Sequence, residues 1–135
     1  MTVEVEVTVS EAIITDSYEY YDEASESMAT KEASPGKSFL IATVAIKNVG
    51  TKQHWGSRGP EQWHVTDAEG NMYEAEPPYA TDAIEGTLLK GTGYWLPSKT
   101  NSGKVVFIIP EGASGLKIHY QQIWPPIYLA EWVVE

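Results

Sequence analysis

Residues 37–49 read KSFLIATVAIKNV, and this stretch decides the fold class. Apolar residues occupy both alternating sets of positions, one set being Phe39, Ile41, Thr43 and Ala45 and the other Leu40, Ala42, Val44 and Ile46. An extended chain turns alternate side chains to opposite faces, and a strand that is apolar on both faces is buried on both. The sequence therefore predicts a central strand over residues 37–49.

The beginning of the chain, MTVEVEVTVS, alternates strictly between valine and polar residues. This period of two predicts a half-buried strand and excludes an amphipathic helix. Ala12, Ile13 and Ile14 either continue the strand after a bulge near Ser10 and Glu11 or pair with a different neighbour.

Further strands are expected on the C-terminal side, each bounded by turn residues. Residues 62–66 and 71–76 flank the turn 67–70, in which Gly70 stands where positive φ is favoured, so they predict a β-hairpin. Strands are also expected over residues 104–109, which Pro110 ends, and over residues 115–121. The last segment, residues 127–134, is a candidate C-terminal edge strand.

Together these elements predict a single domain over residues 1–135. The expected fold is all-β, an immunoglobulin-like Greek-key β-sandwich of about seven to nine strands. Trp63 and Phe107 are expected at the aromatic centre of its core, on opposing sheets.

An acidic segment separates the first strand from the central one. Nine of the nineteen acidic residues lie in the first 34 positions, and the only basic residue there is Lys31. We expect residues 16–36 to form a long acidic loop, with a short strand at Tyr18, Tyr20 and Tyr21 and one or two helical turns after it as alternatives within the loop. Asp16, Glu19, Asp22 and Glu23 are candidate calcium ligands, because calcium prefers carboxylate oxygens. A solvated charged face, or packing of the three intervening tyrosines over a sheet edge, are the alternatives.

Composition excludes several classes of function. The net charge of −10 repels phosphate backbones and anionic lipid, so we expect no nucleic-acid partner. With no cysteine, the chain has no disulfide, thiol nucleophile or thiolate metal site. No run approaches the about 18 apolar residues of a transmembrane segment. Met1 is compatible with a start that follows removal of a signal segment.

The sequence predicts no enzymatic active site and no cofactor. His54, His64 and His119 lack the close spacing of paired metal ligands. Residues 91–93 form a GTG run, which precedes no predicted helix and is therefore not a phosphate loop. Residues 67–71 resemble the start of a calcium loop, but glycine falls at the fourth position of that run and a hairpin turn explains them better.

Aromatic residues in loops and edge strands offer a candidate surface for a partner. Trp55, Tyr94 and Trp95 are the residues we select, with Trp55 expected to be the most exposed because a histidine and a glycine flank it in a polar connection. Such rings stack on sugars or anchor partner proteins. The alternative is that they fill the two ends of the sandwich.

Four spaced phrases carry a resemblance to a known family. They are Gly36-Lys37-Ser38-Phe39, the strand from Val44 to Gly50, the spacing Trp63-x-Val65-x-Asp67-x-x-Gly70-x-x-Tyr73, and Gly103 to Phe107 with Pro110. Over residues 36–120 the chain resembles the domain-of-unknown-function family DUF4352. These are telokin-like, immunoglobulin-like domains of bacterial and archaeal lipoproteins and secreted proteins. The resemblance implies the sandwich fold and an extracytoplasmic location, secreted or lipid-anchored.

Two functional hypotheses remain from the sequence. The first is a non-catalytic binding or accessory module that recognises an unknown protein or glycan at the cell surface through loops at one end of the sandwich. The second is a structural or spacer domain of a cell-envelope lipoprotein. A calcium-binding surface domain is a more distant alternative.

Overall fold

The computed structural model describes residues 5–22, 24–51, 54–57, 63–75, 92–95, 98, 100–122 and 127–134, which form eleven strands and no helix. The strands are β1 (Val5–Thr15), β2 (Ser17–Asp22), β3 (Ser27–Glu32), β4 (Lys37–Asn48), β5 (His54–Ser57), β6 (Trp63–Thr66), β7 (Met72–Glu74), β8 (Thr92–Trp95), β9 (Thr100–Pro110), β10 (Lys117–Gln122) and β11 (Ile127–Val133). The all-β fold class predicted from the sequence is confirmed.

Seven of these strands form two antiparallel sheets. One sheet has the order β1-β4-β9 and the other the order β11-β10-β6-β7. The chain leaves the first sheet after β4, returns to it at β9 and leaves it again for β10, which is the crossover pattern of a Greek key. With this strand order the sandwich is immunoglobulin-like. Strand β11 lies at the edge of its sheet, where the sequence predicted the strand 127–134.

The described part of the chain holds more strands than the seven to nine expected. The extra four form two separate two-stranded sheets, β2-β3 and β5-β8. In the part of the chain that the structure describes, neither pair joins the two sheets of the sandwich, whose seven strands agree with the prediction.

The two long strands of the first sheet agree with the alternation patterns. In β1, the pairing with β4 shifts register between Val9 and Glu11, so the predicted bulge at Ser10 is present and residues 12–14 continue the same strand. Strand β4 pairs with β1 on one side and with β9 on the other, which makes it the central strand of its sheet.

The main core lies between the two sheets and takes residues from both. Trp63 in β6 is 2% exposed and Phe107 in β9 is 0% exposed, which confirms them as core residues of opposing sheets. The Trp63 ring lies 4.9 Å from that of Tyr120 and 5.9 Å from that of Trp132. The inward set of β4, Leu40, Ala42, Val44 and Ile46, completes the cluster.

A second, smaller apolar cluster lies on the outer face of the first sheet. It contains Phe39 and Ile41 of β4, Val106 of β9 and Tyr18 of β2. The Tyr18 ring meets that of Phe39 edge-on, with centroids 4.8 Å apart and an interplanar angle of 70°. The β2-β3 hairpin thus covers this face, which explains why β4 is apolar on both sides.

The prediction of a long loop over residues 16–36 is therefore wrong, although the short strand considered at Tyr18, Tyr20 and Tyr21 is present as part of β2. Ser17–Asp22 and Ser27–Glu32 pair in register from Ser17 opposite Glu32 to Asp22 opposite Ser27. The hairpin forms because burial of Tyr18 against the sheet supplies an apolar contact that this polar segment lacks by itself.

Candidate functional site

The three aromatic residues selected from the sequence lie on the two strands of one small sheet. Strands β5 and β8 pair with Trp55 directly opposite Tyr94 and with His54 opposite Trp95. Directly paired positions of an antiparallel pair lie on the same face, about 5 Å apart. The backbone therefore brings the positions of Trp55 and Tyr94 together on one face of the pair, and places the position of Trp95, opposite His54, on the other face.

The acidic residues selected as calcium ligands are distributed along the β2-β3 hairpin. Asp16 immediately precedes β2, Glu19 and Asp22 lie within it, and Glu23 is outside the described residues. Glu19 and Asp22 are three positions apart along the strand, about 10 Å, and positions an odd number apart belong to opposite faces. The extended backbone thus does not converge these positions. Among the residues that the structure describes, no group of three or more His, Asp or Glu is placed to hold a metal ion.

Asp67 organises the hairpin turn between β6 and β7. One carboxylate oxygen, Oδ1, accepts hydrogen bonds from the backbone nitrogens of Glu69 (2.9 Å) and Asn71 (3.0 Å). The other, Oδ2, accepts from Asn71 Nδ2 (3.0 Å) and from the Tyr73 hydroxyl (2.8 Å). These donors, led by the Asn71 amide, lower the pKa of Asp67 to about 2. Gly70 adopts a φ of 87°, as predicted, and the residues resembling a calcium loop form this turn.

The loop after β9 packs against the same turn at one end of the sandwich. Ala68 donates its backbone N–H to the Ser114 carbonyl at 3.0 Å. Gly115 approaches so closely that an added Cβ would lie 2.7 Å from the Ala68 Cβ. An open depression of about 290 Å³ lies between the two loops, with Asp67, Glu69 and Glu111 among its lining residues. All four hydrogen bonds of the Asp67 carboxylate are internal to the turn, so this residue has a structural role.

Two histidines meet on the outer face of the four-stranded sheet, which the sequence did not predict. His64 of β6 lies directly opposite His119 of β10, and the rings stack 4.6 Å apart with an interplanar angle of 7°. His64 also pairs with Glu74 of β7, and His119 with Glu131 of β11. One row of titratable residues, Glu74-His64-His119-Glu131, thus crosses all four strands; we call it the histidine row.

His119 makes polar contacts with residues of the two neighbouring strands, β6 and β11. Its Nε2 lies 2.8 Å from the Thr66 hydroxyl, and its Nδ1 lies 3.7 Å from a carboxylate oxygen of Glu131. Glu131 also lies 3.6 Å from the Lys117 ammonium. Burial is the main cause that lowers the pKa of His119, opposed by Glu131 and reinforced by Lys117. The pKa of His64 is also lowered, by burial first and by His119 second, against the effect of Glu74.

Comparison with known sequences places the chain in a family. The model of a domain of unknown function (DUF4352) matches residues 2–127. The match confirms the resemblance found in residues 36–120 and extends it at both ends. No curated protein matches the sequence.

Several solved structures share the fold. One is ycdA of Bacillus subtilis subsp. subtilis str. 168, which is classed as a lipoprotein; the TM-score is 0.65 at 15% sequence identity. The similarity covers 97% of this chain but only 36% of the ycdA chain. The secreted protein MPT63 of Mycobacterium tuberculosis gives a TM-score of 0.58 at 14% identity, covering 98% of this chain and 84% of that one. The yjhA protein of Bacillus subtilis gives 0.63 at 16% identity, with 100% and 93% covered. At these identities the likeness shows a common β-sandwich fold. Within the described ranges, no helix is long and apolar enough to cross a membrane.

Proposed function

Because the chain belongs to the DUF4352 family, whose description states no activity, we propose that it is a non-catalytic extracytoplasmic module that binds a protein or glycan at the cell surface. The binding surface is the two-stranded sheet β5-β8. The observation that carries the proposal is the direct pairing of Trp55 with Tyr94.

Aromatic residues at paired positions favour a role in binding a partner over a role in filling the ends of the sandwich. Among the described residues, the β5-β8 pair forms a sheet of its own, separate from the two sheets of the sandwich. Tyr and Trp are enriched where partners bind, because each ring gives a large contact area at a small cost in conformational entropy. The three aromatic residues buried in the main core, Trp63, Phe107 and Tyr120, lie on other strands.

Charge limits the class of partner. The net charge of −10 opposes binding to nucleic acid or to an anionic membrane surface, and leaves proteins and glycans as partners. The extracytoplasmic location rests on the family and on the folds it resembles, which include a secreted protein and one classed as a lipoprotein.

The absence of catalysis is supported by the described titratable groups. Among them, the pKa departs clearly from its ordinary value for His64, Asp67, Tyr73 and His119. Tyr73 donates to Asp67 within the turn, and the two histidines stack on each other. Each of these groups therefore has a structural explanation, either in the β6-β7 hairpin or in the stack on the outer face of the sheet.

Co-sedimentation with an isolated bacterial cell-envelope fraction tests the proposal. We expect the wild-type domain to sediment with the envelope and Trp55→Ala and Tyr94→Ala each to bind roughly thirtyfold more weakly, since an aromatic hot spot is worth about 2 kcal/mol. The matched control is Met28→Ala, which removes an apolar side chain that is 61% exposed in the other two-stranded sheet. Envelope digested with protease or with a glycan hydrolase identifies which class of partner is bound.

Two results would overturn the binding role. If the wild-type domain does not sediment, or if both variants bind as the control does, β5-β8 is not a binding surface. The spacer function is then preferred, since a spacer needs no aromatic contact with a partner.

A further inference from the structure

A pair of titratable histidines lies on the face of the four-stranded sheet that is turned away from the core. His64 and His119 lie at directly paired positions at the centre of the sheet, on its two inner strands β6 and β10. Their chain neighbours Trp63, Val65, Ile118 and Tyr120 are buried in the main core. The histidine pair and the centre of the core therefore share the same four-residue stretch of strand pairing.

The geometry of the pair is suited to neutral rings. The imidazoles are parallel within 7° and 4.6 Å apart, and His119 is only 7% exposed. Two positive charges at this separation repel, and the buried His119 ring lacks the water that would screen them. A first proton can be accepted by the pair, but a second is opposed by the first.

We propose that the His64-His119 stack is an acid-sensitive element of the fold, which holds β6 to β10 while both rings are neutral and loosens this pairing when both rings are protonated.

The charged groups around the pair modify its protonation. Among the described residues, Glu131 of β11 and Lys117 of β10 face His119, and Glu74 of β7 faces His64. Glu131 lies 3.7 Å from His119 Nδ1 and stabilises a charge there, which Lys117 opposes. A charge on His119 lowers the pKa of His64, and Glu74 opposes this effect.

The direction of the pH dependence follows from these causes. Both pKa values are lowered in the folded protein, so between pH about 6.5 and those values the unfolded chain binds more protons. The stability contributed by the neutral pair is thus fully present above about pH 6.5 and is lost as the pH falls through the folded values. Mild acid should weaken the β6-β10 pairing that holds Trp63 against Tyr120.

Urea unfolding between pH 7.5 and 5 tests the proposal. The wild-type midpoint should fall as the pH is lowered, and His64→Gln should reduce that fall because it removes one of the two proton acceptors. His54→Gln is the matched control, since it removes the third histidine of the chain, which lies in β5. This control should fall as the wild type does.

Titration of the histidine ring signals by NMR gives an independent measurement. We expect His119→Gln to raise the pKa of His64, and Glu131→Gln to lower the pKa of His119 while leaving both rings in place. If His119→Gln does not fold, Glu131→Gln and His64→Gln still decide the result. Identical acid sensitivity of His64→Gln and wild type, or two rings that titrate independently near pH 6.5, would overturn the proposal.

Discussion

Truncation of Tyr18 tests whether the β2-β3 hairpin is part of the folded domain. Tyr18 is 7% exposed and packs on Phe39. An aromatic side chain buries about 150–250 Å², worth about 4–6 kcal/mol at about 25 cal/mol per Å² as an upper bound. The hairpin covers the sheet from outside and can settle into the vacated space, which reduces this cost. We therefore expect Tyr18→Ala to destabilise the domain by about 3 kcal/mol.

Urea unfolding followed by tryptophan fluorescence measures this loss. A change of about 3 kcal/mol moves the midpoint by about 1.5 M at an m value of about 2 kcal/mol per M. Trypsin cleavage after Lys31, within β3, provides a local measurement that should accelerate when the hairpin detaches. Met28→Ala, at a position 61% exposed in the same hairpin, should remain within about 0.5 kcal/mol of wild type. If Tyr18→Ala behaves like Met28→Ala in both assays, the hairpin does not cover the sheet and the reasoning is wrong.

Four further predictions follow from the fold. Phe107→Ala should cost about 3–5 kcal/mol in urea unfolding, whereas Val133→Ala, at a position 67% exposed, should cost less than about 0.5 kcal/mol. Gly36→Ala should cost about 1–2 kcal/mol for its positive φ alone, and Gly115→Ala at least about 1 kcal/mol more, because its new Cβ would clash with that of residue 68. Because the pKa of Asp67 is lowered to about 2, its carboxylate stabilises the fold above pH about 4, and Asp67→Asn should flatten the loss of stability as the pH falls towards about 2. Millimolar calcium should raise the melting temperature no more than sodium chloride of equal ionic strength; a larger rise would establish a site in the acidic segment.

The sandwich could be predicted from the sequence because its strands carry their own signals. Strand β4 needs only its two apolar faces, and the bulge in β1 is visible as a break in the valine alternation at Glu11, where the next apolar residue would be expected. The turn at Asp67 combines a side-chain acceptor with a glycine of positive φ three positions later. All of these are relations between residues close in the chain.

The hairpin β2-β3 could not be recognised in this way. Strand β3 reads SMATKE and has no alternating apolar residues, and its positions are exposed or half-buried. The hairpin depends on one inward residue, Tyr18, and on a receiving surface formed by residues of β4 and β9. Local propensity favours a loop or a helical turn here, and only the tertiary contact overrides it.

The histidine row could not be predicted for a different reason, which is that the alternation pattern does not determine the strand register. Alternation predicts that His64 and His119 both face away from the core, but a slip of two residues between β6 and β10 keeps every face unchanged. His64 would then lie opposite Lys117 or Gln121 instead of His119. The register is determined by packing on the other face of the sheet, where Trp63 lies opposite Tyr120 with their rings 4.9 Å apart. Packing of the core therefore determines which titratable groups meet on the outside, so a core substitution that preserves this contact should also preserve the histidine pair.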